Sequence, residues 1–127
     1  MRYLTVGEVE SINERFVGPD GLVDFGLLES AVMRPQQSVM GADAYSDIHQ
    51  KAAALLHSLA RNHAFIDGNK RTALTSVVVF YRLNGHRLEM AQDDAIALVL
   101  DAAQGQIDVA RISGELKNHV RVIELED

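Results

Sequence analysis

The chain reads as an all-α protein, a single domain over residues 1–127 with about six helices around a central buried one. Three observations carry that expectation. Apolar residues recur at helical spacing through most of the chain. Ser, Thr or Asp precedes several of these runs, where a side-chain oxygen can satisfy the free N–H groups of a helix start. Gly and Pro punctuate the gaps, at Gly18-Pro19-Asp20-Gly21, Pro35, Gly85 and Gly105. With 127 residues, 47% of them hydrophobic and 24% charged, the composition is that of an ordinary globular domain with its own core.

Thr5 followed by Glu8 makes a capping box, ahead of Val9, Ile12 and Phe16 at helical spacing. The Gly18–Gly21 turn ends that helix. Asp24 caps a second helix, which Pro35 closes. Residues 36–46 contain Gly41 and no helical period, so they are a loop or a short hairpin. Ser46 or Asp47 caps the third helix, whose stripe is Ile48, Ala52, Leu55, Leu56 and Leu59. Residues 69–84 are apolar nearly all round, as a central buried helix requires. Their Val77–Tyr81 run also has strand propensity, but the length of the segment and its Gly85 terminator favour helix. Ile96, Val99, Leu100 and Ala103 mark a fifth helix ending at Gly105, and Asp108 caps a sixth carrying Val109, Ile112 and Leu116. The tail from Arg121 to Asp127 is short and acidic, and no element is assigned to it.

Composition excludes several functions. A net charge of −6 argues against nucleic acid as the main ligand, because phosphate-backbone binding needs clustered cations. No apolar stretch suits a signal peptide or a membrane span. Without cysteine there is neither disulfide nor thiolate chemistry, which fits a cytoplasmic protein. Zinc is disfavoured too, since no histidines pair at i, i+4. His49, His57, His86 and His119 are accordingly taken as structural or exposed.

The chemistry concentrates in His63-Ala64-Phe65-Ile66-Asp67-Gly68-Asn69-Lys70-Arg71. A loop that feeds a helix start presents free N–H groups and the positive end of the helix dipole, both of which attract phosphate. Gly68 lets the backbone take a positive φ and approach an anion closely. Lys70 and Arg71 add fixed positive charge, and Asn69 can cap the helix. Asp67 can hold the Mg²⁺ that travels with a nucleotide, which needs only one or two protein carboxylates. His63 can serve as a general base. Each residue also has a plainer use: His63 against a helix C-terminus, Asp67 in a turn, Lys70 and Arg71 as surface charges. Their adjacency favours the chemical reading. Phe65 is the apolar anchor that pins the loop.

The same string resembles the Fic motif, His-x-Phe-x-(Asp/Glu)-(Gly/Ala)-Asn-x-Arg, and more narrowly its death-on-curing (Doc) branch. Further matches stand in order at Leu27–Pro35, Lys51–Asn62, Thr72-Ala73-Leu74 and Leu83-Asn84-Gly85, so the resemblance covers about residues 3 to 118. Arg34, Arg61 and Asn62 fall within it. It implies a Fic-like bundle in which residues 36–46 form a flap that pairs with an extended target peptide. It assigns His63, Lys70 and Arg71 to catalysis, Gly68, Asn69, Lys70 and Arg71 to nucleotide phosphates, and Asp67 to Mg²⁺.

Most Fic enzymes transfer AMP from ATP, with glycine where this chain has Lys70 and a second arginine where it has Leu74. Doc-type proteins share the lysine and pass the γ-phosphate of ATP to a threonine of elongation factor Tu, stopping translation. Lys70 and Leu74 thus point to a Doc-type protein kinase toxin. Gly68, often alanine in Doc proteins, follows the wider Fic pattern and keeps AMP transfer as the alternative; a non-catalytic binding module is the third reading. No self-inhibitory (Ser/Thr)-x-x-x-Glu-(Gly/Asn) string occurs. Restraint would then come from a Phd-type antitoxin, whose footprint would be exposed apolar surface near the site.

Overall fold

The computed structural model describes residues 1–123, and its most enclosed element is a helix, α3, Ile48–Asn62. The cause is its Ala52-Ala53-Ala54 run, all three fully buried: methyl side chains let neighbours pack close on several sides. Asp47 caps α3, accepting from the Gln50 amide at 2.8 Å, while Ser46 bonds the Gln50 side chain instead. The other helices are α1 (Val6–Val17), α2 (Phe25–Met33), α4 (Asn69–Leu83), α5 (Gln92–Ala103) and α6 (Val109–Lys117). Helices α2, α4, α5 and α6 pack on α3, with a 3₁₀ turn at Arg34–Gln36, and α1 packs on α4.

The central position expected of residues 69–84 therefore belongs to α3. Helix α4 is amphipathic, turning Thr72, Ala73, Val77, Phe80 and Tyr81 inward while Val78 stays 43% exposed. The Val77–Tyr81 run is helical throughout.

Two other faces differ from the expected ones. On α1 both bonds of the Thr5–Glu8 capping box form, but the buried positions are Val9 and Asn13, and Phe16 lies exposed. On α5 the buried stripe is Ala95, Leu98, Val99 and Ala102; Ile96 and Leu100 face outward. The alanines bring α5 close to its neighbours, and that gain sets which side of the helix faces in.

Residues 38–43 form a hairpin of β1 (Ser38–Val39) and β2 (Ala42–Asp43). Met40 and Gly41 at its tip have φ of 52° and 84°, the doubly positive geometry that matches strand twist. Lys51 of α3, almost fully buried, roots the hairpin by donating to Asp43 at 3.1 Å and to the Pro35 carbonyl at 3.3 Å. Burial alone would lower its ammonium pKa, but Tyr3 and Asp43 outweigh that and raise it.

A second ribbon was not expected. β3 (His86–Leu88) pairs antiparallel with β4 (Val120–Val122), His86 opposite Val122 and Leu88 opposite Val120. The tail assigned no element thus begins with a strand, whose partner lies far back in sequence where local pattern cannot reveal it. Residues 124–127, the remainder of that tail, lie outside the described residues.

Arg34 ties the turn after α2 to α3. Its guanidinium donates to Tyr45 Oη and to Ser58 Oγ, both at 2.8 Å, and lies 2.9 Å from His57 Nδ1. Arginine can only donate, so that nitrogen must be the unprotonated acceptor. Burial lowers the His57 pKa, the charges of Arg34 and Arg61 lower it further, and Asp108 opposes them. Burial likewise lowers that of His49. A histidine with a depressed folded-state pKa binds fewer protons folded than unfolded. Its contribution is therefore intact above the unfolded value of about 6.5 and lost as pH falls through the folded one. Thermal unfolding should be flat above neutrality and fall as pH drops below that value. His57→Gln, which keeps an acceptor for Arg34 and cannot titrate, should flatten the fall; an unchanged profile would refute the role given to His57.

Candidate active site

The loop between α3 and α4 has a left-handed backbone position at each end, His63 and Gly68. His63 ends α3 in the left-handed region, φ 50° and ψ 49°, which histidine tolerates better than most side chains. The chain then doubles back beside residues 21–24. The Ala64 carbonyl accepts from the Val23 and Asp24 amides at 2.9 and 3.1 Å, the Ile66 amide donates to the Gly21 carbonyl at 2.8 Å, and Leu22 bridges Phe65. This pairing buries Ala64 and Phe65 and leaves His63, Ile66 and Asp67 facing solvent.

Asn69 does not cap α4; Gly68 occupies that position with φ 75°. A Cβ there would meet Val17 Cγ1 at 3.1 Å and Asn13 Nδ2 at 3.3 Å, so the left-handed backbone favours glycine and a larger residue would have to push these two side chains back by a few tenths of an ångström. The Asn69 side chain instead staples the loop, accepting from the Phe65 amide at 3.1 Å and donating to the Phe65 carbonyl at 2.8 Å. The main-chain N–H groups of residues 69–71 have no partner among the described residues; the first α4 bond runs from Thr72 N to the Gly68 carbonyl at 2.9 Å. Lys70 and Arg71 stand exposed at this helix start, Arg71 lying over the Phe16 ring at 5.2 Å. Neither has an ion-pair partner among the described residues. Asp67 Oδ1 accepts from the Gly68 amide at 2.7 Å, and the exposed carboxylate keeps its other oxygen for a cation. No group of three His, Cys, Asp or Glu side chains among the described residues could hold a metal, so further ligands would have to come from a bound phosphate or water.

The fold thus brings His63, Asp67, Gly68, Asn69, Lys70 and Arg71 onto one end of the bundle. Other residues that recur in the motif's surroundings pack elsewhere. Arg34 serves the clamp described above, Arg61 lies against Gly105, and Asn62 Nδ2 donates to the Leu27 carbonyl at 3.4 Å. The remaining histidines also have structural partners. His49 Nδ1 lies 2.9 Å from Tyr81 Oη, while His86 and His119 bond main-chain carbonyls. The residue that sequence reasoning missed is Asn13, 1% exposed, which bonds the Asp67 carbonyl and Thr72 Oγ1. Its one sequence signal is its position four residues after Val9, a polar residue on an otherwise apolar face.

A helix start with free amides, two cations, one carboxylate and one histidine, placed between α3 and α4, is the arrangement the Fic motif describes. The sequence profile of the Fic/DOC family matches residues 3–81, and the chain belongs to that family. It is 44% identical over 115 residues to Toxin Doc of Mycolicibacterium smegmatis (strain ATCC 700084 / mc(2)155), covering 89% of this chain and 85% of that one. It is 31% identical over 121 residues to Protein kinase doc of Escherichia phage P1, covering 92% and 94% respectively.

Asn69→Ala should cost about 1–3 kcal/mol, because it leaves the Phe65 amide and carbonyl without their partner. Urea unfolding measures this, and hydrogen exchange at the Phe65 amide should accelerate. An unchanged midpoint would show that the staple contributes nothing.

Proposed function

We propose that this Doc-family protein is a toxin kinase that moves the γ-phosphate of ATP to a Thr or Ser hydroxyl of a translation factor, elongation factor Tu. The observation that carries the reading is the open start of α4: three amides with no partner among the described residues, beside exposed Lys70 and Arg71 and next to an exposed His63. Such a cradle suits the outer phosphates of a nucleotide. The relative named as a protein kinase supports the choice of reaction.

In the proposed step the His63 imidazole takes the proton of the target hydroxyl. The hydroxyl oxygen forms a new bond to the γ-phosphorus, and the bond from that phosphorus to the bridging oxygen breaks, releasing ADP. Lys70, Arg71 and the amides of residues 69–71, at the start that Gly68 opens, hold the phosphates, and Asn69 keeps the loop in shape through its side chain. Asp67 would hold Mg²⁺ through its free oxygen. When bound with the nucleotide, that ion neutralises phosphate charge. The β1–β2 hairpin, exposed along both strands, offers an edge for an extended target segment. The apolar side chains of Val23, Phe25 and Ile66, 63%, 55% and 76% exposed beside the motif loop, are the surface we assign to a Phd-type antitoxin. We place the protein in the cytoplasm; no helix among the described residues is long and apolar enough to cross a membrane.

Incubation with elongation factor Tu and ATP labelled at the α- or γ-phosphate tests the assignment. Transfer of γ-label alone is expected. Transfer of α-label alone would make the protein an AMP transferase, the reading that Gly68 favours, and no transfer would leave a binding module. His63→Ala should reduce transfer about 10²–10⁴-fold with an unchanged unfolding midpoint; full activity would remove His63 from the mechanism.

Lys70→Gly should lower γ-transfer, because the side chain that fills the would-be α-phosphate pocket is gone. Adding Leu74→Arg should shift residual activity towards α-label more than either change alone. If Lys70→Gly transfers γ-label as well as wild type does, Lys70 does not set the nucleotide's orientation.

A further inference from the structure

We infer that Asn13, on α1 and far from the motif in sequence, is a positioning residue that sets the direction of the Asp67 carboxylate and the open start of α4. The inference rests on the site reading above, that Asp67 and the amides of residues 69–71 meet a magnesium–nucleotide. Asn13 is 1% exposed, and its Nδ2 is its anchor to the site. One contact runs to the Asp67 carbonyl at 3.0 Å, the other to Thr72 Oγ1 at 3.1 Å.

These two acceptors lie on either side of the turn that matters. The Asp67 carbonyl belongs to the Asp67–Gly68 peptide, whose N–H is held at 2.7 Å by the Asp67 carboxylate itself. Fixing the carbonyl end of that planar peptide fixes its N–H end, and so the oxygen bound to it. Thr72 is the first α4 residue to make a main-chain bond, to the Gly68 carbonyl. Gripping its hydroxyl sets where α4 begins, and hence where the three free amides point. Two glycines make room for the grip. A Cβ at Gly68 would lie 3.3 Å from Asn13 Nδ2, and one at Gly21 would lie 2.9 Å from Asn13 Oδ1. Side chains that orient a metal-ligating carboxylate without touching the metal typically change affinity or activity 10–100-fold when removed.

The variants are Asn13→Leu, of similar volume but without N–H donors, and Thr72→Val, which removes only the second contact and leaves α1 untouched. Neither alters a group that meets the nucleotide. Three quantities are read on the whole protein: hydrogen exchange at the amides of residues 66–71, affinity for Mg·ATP by calorimetry across a Mg²⁺ series, and the rate of label transfer. Asn13→Leu should speed exchange in that loop while buried α3 amides stay protected. It should weaken Mg·ATP binding about 10-fold or more, with a shift in the Mg²⁺ midpoint. Thr72→Val should do the same to a smaller degree. Loop exchange and Mg²⁺ midpoint at wild-type values in both variants would overturn the inference, and so would a loss of binding that only tracks the fraction unfolded. If wild type binds Mg·ATP and Asn13→Leu weakens it, yet no γ-label reaches the factor, the kinase reading fails and the positioning role stands. A wild-type protein that binds no Mg·ATP overturns both.

Discussion

The close burial of α3 is the constraint on which the molecule depends. Three consecutive alanines with no exposed surface mean that the helix is covered on several sides at once. Neighbouring helix axes can then approach to the short end of the usual 8–10 Å range. Leu55, Leu56 and Leu59 fill the spaces between them. The C-terminal residue of α3 is followed at once by His63, so the rigidity of the best-packed element is carried straight to the proposed base.

From that fixed point the site is held by segments earlier in the chain. Residues 21–24 pair with the loop backbone, and α1 grips the turn into α4 through Asn13. The motif supplies charges and donors but few of its own constraints; among the described residues, the side chains that bond within it are those of Asn69 and Asp67. Exposed cations on a backbone held from behind are well suited to a charged ligand, because no ion pair among the described residues must be broken to bind it.

Much of this was legible in the sequence, for physical reasons that differ by element. Helix starts were readable because caps act within three residues, as Thr5, Asp24, Asp47 and Asp108 all do. The candidate site was legible as a cluster because its groups are contiguous in the chain. Faces were less so: weighting large apolar residues placed Ile96, Leu100 and Phe16 inside, whereas the buried stripes run through Ala95, Ala102 and Asn13. Small side chains carry little hydrophobic signal, yet they decide how closely helices approach. The helix cap at Gly68 escaped because Asn69 has the better capping side chain and spends it on Phe65. The β3–β4 ribbon and the Asn13 contacts escaped because both join residues remote in sequence, where only the assembled fold brings donor and acceptor together.

The packing order also bears on when such a protein becomes competent as it is made. Helix α6, which packs on α3, contributes Ile112 and Leu116, both without exposed surface, and β4 closes the ribbon only at residues 120–122. The motif itself is complete by Arg71. During synthesis, with the N-terminal part emerging first, the chemical groups therefore exist well before the helix that carries His63 is fully covered. A chain still on the ribosome has an incomplete scaffold behind His63. The support behind His63 is therefore completed by segments made after the motif, so the loop's chemical groups precede the packing that holds them still.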